Sequence, residues 1–297
     1  MHPADGCLRR PDKIPSIMNR EELYQQILKK KSMLCVGLDV DFEKMPEHVK
    51  ALAEDDPIAV DGSLFKGKAR SVVEFNKAII DATAPHCVAY KPNLAFYECY
   101  GNDGIRALEA TVDYIRSRYP EMFLIADAKR GDIGNTAQRY AKAFFETMDF
   151  DAVTLAPYMG ADSVTPFLGH KGKWAVVLAL TSNASAFQFQ CAVKDGKPLY
   201  QAVIEEMMSI STPDNMMFVV GATKADKLAE IRSFCPDNFF LVPGVGAQGG
   251  SAEEVMKYGA NDKGGLLINS SRGVIYASSG KDFAEAAARA AASTAAL

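Results

Sequence analysis

The sequence predicts a single-domain α/β protein folded as a (β/α)8 TIM barrel. Eight short apolar runs recur along the chain, each followed by a polar or amphipathic segment. The runs hold four to eight apolar residues, are rich in Val, Leu and Ile, and end in turn residues, as strands buried on both faces of a parallel sheet do. An open doubly wound sheet is the alternative, and it would place a G-x-G-x-x-G after an early strand. "CVGLDVDFEK" (35–44) offers no such motif, so the closed barrel is preferred.

The elements follow in order. The opening "MHPADGCLRRPDKIPSIMNR" carries charges without an apolar core, so it is not a secretory signal. Residues 1–18 read as a loose extension, with Met18 a conceivable alternative start, and residues 19–297 as the barrel. The first run, "MLCVGLD" (33–39), is followed by a polar insertion over 40–68. "VVEFNKAII" (72–80) sets Val72, Phe75, Ile79 and Ile80 at helical spacing. The next runs are "CVAYKPN" (87–93) and "MFLIADAK" (122–129), and "NTAQRYAKAFFE" (135–146) is the helix after the third. "AVTLAP" (152–157) and "WAVVLALTSN" (174–183) supply strands four and five, and a long loop follows over 184–198. "MMFVVGAT" (216–223), "FFLVPGVGA" (239–247) and "GLLINSSRG" (265–273) complete the eight. Ser251–Tyr258 is the helix after strand seven, and "DFAEAAARAAASTAAL" closes the chain as an Ala-rich helix. Both long insertions are expected on the C-terminal face, where barrel enzymes keep their active sites.

Composition narrows the function. Of 297 residues, 48% are hydrophobic and 24% charged, with a net charge of −4, which is ordinary globular usage. No Lys/Arg run is long enough to be a polyanion footprint, so nucleic acid is not an expected partner. No apolar segment approaches the ~18 residues of a membrane span. The six cysteines include no C-x-x-C pair and read as reduced thiols of a cytoplasmic protein. The four histidines, at 2, 48, 86 and 170, show no metal-binding spacing, so no metal site is expected.

The stretch "FLIADAKRGDIGNT" (123–136) begins as a strand and then carries Asp127, Lys129, Arg130 and Asp132. Strand side chains alternate. If Ile125 points into the barrel, Asp127 and Lys129 do too, while Leu124, Ala126 and Ala128 face the helices. Strand one ends in Asp39 and strand two in Lys91. Three consecutive strands therefore bring two carboxylates and two ammonium groups to the barrel mouth. A structural salt-bridge plug is one reading. Each buried ion, however, carries a desolvation penalty, and charge clusters in clefts mark functional sites.

Across the mouth, "PGVGAQGGS" (243–251) and "NSSRGVIY" (269–276) end strands seven and eight. Loops at these positions commonly bind phosphate through backbone N–H groups and a helix N-terminus. Arg272 adds a cation suited to bidentate phosphate recognition. One Gly-rich turn alone could be only a tight turn; two adjacent turns, one carrying Arg, favour a phosphate site.

Taken in order, Asp39, Lys91, "DAKRGDIGNT" (127–136), "TSN" (181–183), "GVGAQGG" (244–250) and "SSRG" (270–273) resemble orotidine 5′-phosphate decarboxylase, in the longer bacterial branch of that family. The match spans residues 33–276, and the N-terminal extension and the loops at 40–68 and 184–198 depart from the pattern. The resemblance implies decarboxylation of orotidine 5′-phosphate to UMP in pyrimidine biosynthesis, with no metal and no organic cofactor. It implies that Lys129 protonates carbon six of the pyrimidine and that Asp127 lies against the departing carboxylate. Lys91 would hold both aspartates and a ribose hydroxyl, and Asp39 would bind the ribose. Ser182 and Gln248 would contact the pyrimidine and phosphate, and Arg272 the phosphate, with Ser271 beside it among the substrate-binding residues. Asp132, Ile133 and Thr136 would reach into the neighbouring subunit's site of an obligate homodimer.

The chemistry agrees with these roles. Decarboxylation at this carbon leaves negative charge with no adjacent carbonyl to delocalise it, so a cation fixed where the charge develops is the required catalyst. Carboxylates beside Lys129 favour its charged form, which suits an ammonium acid and not a Schiff-base nucleophile. Three competing readings remain. Sugar-phosphate decarboxylases and hexulose-phosphate synthases share a D-x-K-x-x-D core but need a divalent metal, and the continuation R-G-D-I-G-N-T belongs to the nucleotide branch. A catalytically silent nucleotide-binding barrel would be expected to lack one of the charged residues. A Schiff-base aldolase would be trapped by borohydride with its substrate.

Overall fold

The computed structural model describes residues 18–60, 63–222, 225–245 and 251–295. Eight parallel strands close a barrel: β1 (Leu34–Gly37), β2 (Ala89–Lys91), β3 (Phe123–Arg130), β4 (Ala152–Leu155), β5 (Trp174–Leu180), β6 (Met216–Val220), β7 (Phe239–Pro243) and β8 (Leu266–Ser270). Each pairs with its sequence neighbours, and β1 pairs with β8 in the register Leu34↔Ile268, Cys35↔Asn269, Val36↔Ser270, which seals the cylinder. Seven of the eight strands fall within the apolar runs of the sequence, and β3 extends one residue beyond its run, to Arg130.

Two cores follow from the strand alternation. Leu124, Ala126 and Ala128 of β3 join the shell between strands and helices, and Phe123 and Ile125 join the barrel interior. The inward set at the N-terminal end is aromatic. Trp174 meets Phe123 edge-on at 5.7 Å and Phe239 at 6.1 Å, and all three are fully buried. Burial of one such side chain stabilises by roughly 1.5–3 kcal/mol. The helix Arg20–Lys30 closes this end, with Leu23, Ile27 and the preceding Met18 in the interior cluster. Asn19 and Glu22 form a reciprocal capping box at its start. Trp174 Nε1 donates to the Met18 carbonyl at 2.6 Å, so Met18 belongs to the packed barrel; residues 1–17 of the expected extension lie outside the described residues.

A buried ion cluster braces the same end. Arg116 lies 2.9 Å from Asp151 and 3.4 Å from Asp149, and Lys173 lies 3.3 Å from Asp149. Asp151 also accepts from the Leu124 amide, tying the start of β3 to the entry of β4. Opposite charges in close contact offset the cost of burying them.

The amphipathic segments form as their spacing requires. Val72, Phe75, Ile79 and Ile80 are all buried on the helix Gly67–Thr83. Phe283 of the Ala-rich helix Phe283–Ala295 stacks on Phe75 at 5.3 Å. The 40–68 insertion is less polar in role than in composition. It holds short helical turns and a hairpin of Ile58–Val60 with Ser63–Phe65, and it buries Met45, Val49 and Phe65 against the outer core. Those three apolar anchors fix an otherwise charged segment.

Candidate active site

The end of β3 departs from regular strand geometry. Pairing with β4 runs Ala126↔Val153 and then Arg130↔Leu155, so four residues of β3 span two of β4 and the strand bulges. Lys129 sits in this bulge with φ +46°, a left-handed conformation that costs a non-glycine residue about 1–2 kcal/mol. Its amide donates to Thr154 Oγ1 at 2.8 Å, which holds the bulge from the neighbouring strand. Gly131 follows because a Cβ there would stand 3.0 Å from the Ala156 carbonyl.

Around this bulge the charges form one chain. Lys91 Nζ donates to Asp127 Oδ2 at 2.8 Å, and Lys129 Nζ to Asp127 Oδ1 at 2.5 Å. The Thr154 hydroxyl donates to the same Oδ1 at 3.1 Å. Lys91 and Asp127 are 4% and 8% exposed, whereas the Lys129 side chain is half exposed. Burial pushes the Asp127 carboxyl up, but the two ammonium groups outweigh it and hold the carboxyl well below the usual carboxylate range. Burial likewise opposes the Lys91 charge, and the carboxylates of Asp127 and Asp39 overcome it, raising Lys91 above its ordinary value. The result is a fixed carboxylate between two cations, one deep and one open to the cavity.

That cavity, about 520 Å3, sits at the C-terminal mouth of the barrel. Asp39, Lys91, Asp127 and Lys129 line one side; Leu178, Val219 and Leu241 form an apolar wall; Ser271 and Arg272 stand at the β8 edge. Arg272 opens a short helical turn, is exposed, and has no partner for its guanidinium among the described residues. Gly37 is required on β1, since a Cβ there would stand 2.7 Å from Ser271 Cβ. One Asp39 oxygen and the Asn269 side-chain oxygen are buried without a hydrogen-bond partner. A small anion-bearing molecule with hydroxyls matches this surface: charge at one end, polar groups in the middle, an apolar wall for a flat ring.

The structure brings together Lys91, Asp127, Lys129, Asp39, Ser182, Ser271 and Arg272 around the cavity. It sets Asp132, Ile133 and Thr136 apart from it. Ile133 is 45% exposed, Thr136 is exposed in the first turn of the helix Gly134–Lys142, and Asp132 accepts from the Ile133 amide. Gln248 lies outside the described residues. Sequence reasoning missed Asn93, Thr154, Gln190 and Asn269, all of which line the cavity. For Thr154 and Asn269 a signal was present: each is a polar residue within an apolar run, at an inward position of the alternation. Gln190 comes from the 184–198 loop. Its side chain accepts from the Thr181 amide at 2.7 Å and donates to Thr181 Oγ1 at 2.8 Å, pinning the loop to the turn that carries Ser182.

Among the described residues, no group of three or more His, Cys, Asp or Glu side chains is placed to hold a metal ion. No helix among them is long and apolar enough to cross a membrane. The five described cysteines are free, and burial pushes the Cys87 thiol up to about 11, far from reactivity; Cys7 lies outside the described residues.

Comparison with known proteins adds a consistent set of relatives. The family model described as "Orotidine 5'-phosphate decarboxylase / HUMPS family" matches residues 32–289. A protein named orotidine 5′-phosphate decarboxylase from Christiangramia forsetii is 56% identical over 270 residues, covering 91% of this chain and 93% of the relative. One of the same name from Phocaeicola vulgatus is 54% identical, covering 91% and 94%. Among solved structures, the OMP decarboxylase of Leishmania donovani superposes with a TM-score of 0.73 at 34% identity, covering 92% of this chain and 95% of the other.

Proposed function

Because the chain belongs to the orotidine 5′-phosphate decarboxylase / HUMPS family, we propose that it decarboxylates orotidine 5′-phosphate to UMP in pyrimidine biosynthesis, with Lys129 as the proton donor and without metal or cofactor. The family model spans two chemistries, and the names of the relatives at 52–56% identity belong to the decarboxylase alone. The single observation that carries the residue assignment is the Lys91–Asp127–Lys129 chain at the mouth of β2 and β3.

The reaction breaks the bond between carbon six and its carboxylate. Carbon dioxide leaves, the electron pair stays on carbon six, and the Lys129 ammonium supplies the proton that forms the new C–H bond. Asp127, held ionised, lies beside the substrate carboxylate and favours its departure, while Lys129 stabilises the charge that replaces it. No reorganisation is needed, since both groups are fixed by Lys91, Thr154 and the β3 bulge. Asp39 and Lys91 bind the ribose, Ser182 and Gln248 the pyrimidine and phosphate, and Arg272 with Ser271 the phosphate. Binding energy from the phosphate is then used at the distant reacting carbon.

The working unit in this proposal is a homodimer whose sites are shared, with Asp132, Ile133 and Thr136 entering the partner's cavity. Two facts support it. These residues stand off their own chain's cavity. The loops after three neighbouring strands also expose Ile133, then Tyr158 and Met159, then Phe187 and Phe189, an apolar surface that an assembly would cover. The proposed setting is the cytoplasm, with only a small nucleotide as partner besides the second subunit. Ultraviolet absorbance tests the reaction: with orotidine 5′-phosphate added in the presence of a chelator, absorbance on the long-wavelength side of the pyrimidine band should fall as the carboxylate leaves the ring. Loss of activity on chelation, restored by magnesium, would refute the metal-free reading.

A further inference from the structure

Asn269 has no role in the chemistry described so far, yet its position calls for one. It is the inward residue near the end of β8, paired in register with Cys35 of β1, and it lines the cavity at 8% exposure. Its Oδ1 is buried and accepts no hydrogen bond. Among the described residues, the only other lining residue with such an orphaned oxygen is Asp39, two residues past the end of the adjacent strand β1. A buried acceptor left unpaired is costly. A Cβ at Gly37 would meet Ser271 first and then Asn269 Oδ1, at 3.4 Å, so the glycine brings the backbone of β1 close to the Asn269 side chain. Two unpartnered acceptors thus line the same cavity from neighbouring strand ends, together with Lys129 and Arg272.

We propose that Asn269 is a specificity-determining residue that holds a ribose hydroxyl of the nucleotide, acting with Asp39 as a pair of acceptors for the sugar. The proposal rests on the nucleotide reading of this cavity. A hydroxyl is the group that fits, because it donates to one acceptor while its own oxygen still accepts, and the Asn269 amide can offer either partner. Phosphate does not fit the pair, since its oxygens would stand against the Asp39 carboxylate. The flat base does not fit either, because the apolar wall lies on the other strands, at Leu178, Val219 and Leu241. A site built to hydrogen-bond a hydroxyl rejects the analogue that lacks it, as its own polar group is then stranded.

The test compares kcat/KM for orotidine 5′-phosphate and its 2′-deoxy and 3′-deoxy analogues, with wild-type enzyme, Asn269→Ala and Asn269→Leu. Asn269→Leu keeps the volume, so agreement of the two variants separates the polar contact from packing, and far-ultraviolet circular dichroism checks their fold. Both variants should lose on the order of tenfold or more on the ribose substrate. On one of the two deoxy analogues the variants should lose nothing further relative to wild type, which marks the hydroxyl that Asn269 holds. Equal losses on all three substrates, or no loss on any, would overturn the role of Asn269 and leave the decarboxylase standing. Failure of the wild-type enzyme to turn over orotidine 5′-phosphate would overturn both.

Discussion

Replacing Lys91 by methionine removes a charge and keeps most of the side chain's length, so it isolates the ion pair beneath the catalytic cluster. Lys91 Nζ and Asp127 Oδ2 are 2.8 Å apart, with side-chain exposures of 5% and 9%. Removing one partner of such a buried pair costs about 3–5 kcal/mol, because the other charge stays buried. Asp127 here retains Lys129 and the Thr154 hydroxyl, so the lower end of that range applies, about 3 kcal/mol. For a chain of 297 residues that corresponds to a fall in Tm of roughly 5 °C. The pH dependence has a definite sign. Asp127, depressed in the folded state, gives stability that is complete above the unfolded value of about 3.9 and is lost as pH falls through its lower folded value. Lys91, raised in the folded state, gives stability that is complete below the unfolded value of about 10.4 and is lost as pH climbs through its higher folded value. The deficit of Lys91→Met should therefore be flat between roughly pH 5 and pH 9. Thermal unfolding followed by circular dichroism measures it, alongside the double variant Lys91→Met/Asp127→Asn. The double variant should be the more stable of the two, because no buried carboxylate is left with half its partners. A single variant that melts within a degree or so of wild type, or a double variant less stable than the single, would refute the reasoning.

Four further outcomes are expected. Lys129→Ala should abolish nearly all turnover and leave UMP affinity largely unchanged, since the ammonium acts on charge present only in the transition state; a variant keeping a tenth of wild-type activity defeats the assignment. Arg272→Ala should weaken substrate binding by on the order of 2–4 kcal/mol, and a substrate without the phosphate should react equally poorly with variant and wild type. Lys129→Ala and Asp132→Ala homodimers should each be nearly inactive, yet after dissociation and random remixing about a quarter of all sites should recover, each with Lys129 from one chain and Asp132 from the other; confirmed subunit exchange without regained activity rules out shared sites. Gln190→Ala frees the 184–198 loop from Thr181 and should raise KM more than it lowers kcat, with Gln190→Glu, which keeps the acceptor for the Thr181 amide, intermediate between them; a pure kcat effect would argue against a positioning role.

Side-chain direction is legible in the residues alone. Alternation along β3 is a local property of an extended chain; it sent Ile125 inward and Leu124, Ala126 and Ala128 outward, as the two cores show, and Asp127 and Lys129 to the cavity at the mouth. Runs of apolar residues bounded by turns located all eight strands for a similar reason, since burial on both faces leaves no other composition. Partners across strands were not legible. That Thr154 supports both the Lys129 amide and Asp127 depends on a bulge that slides β3 against β4 by two residues. That Asn269 faces Gly37 depends on β8 closing onto β1. The clamp of Arg116 and Lys173 on Asp149 and Asp151 joins residues with no shared motif, and Gln190 reaches Thr181 from a loop with no periodicity to place it. Each of these contacts is set by register, closure or loop path. Those are global solutions of packing, and they exist only once the whole chain has folded.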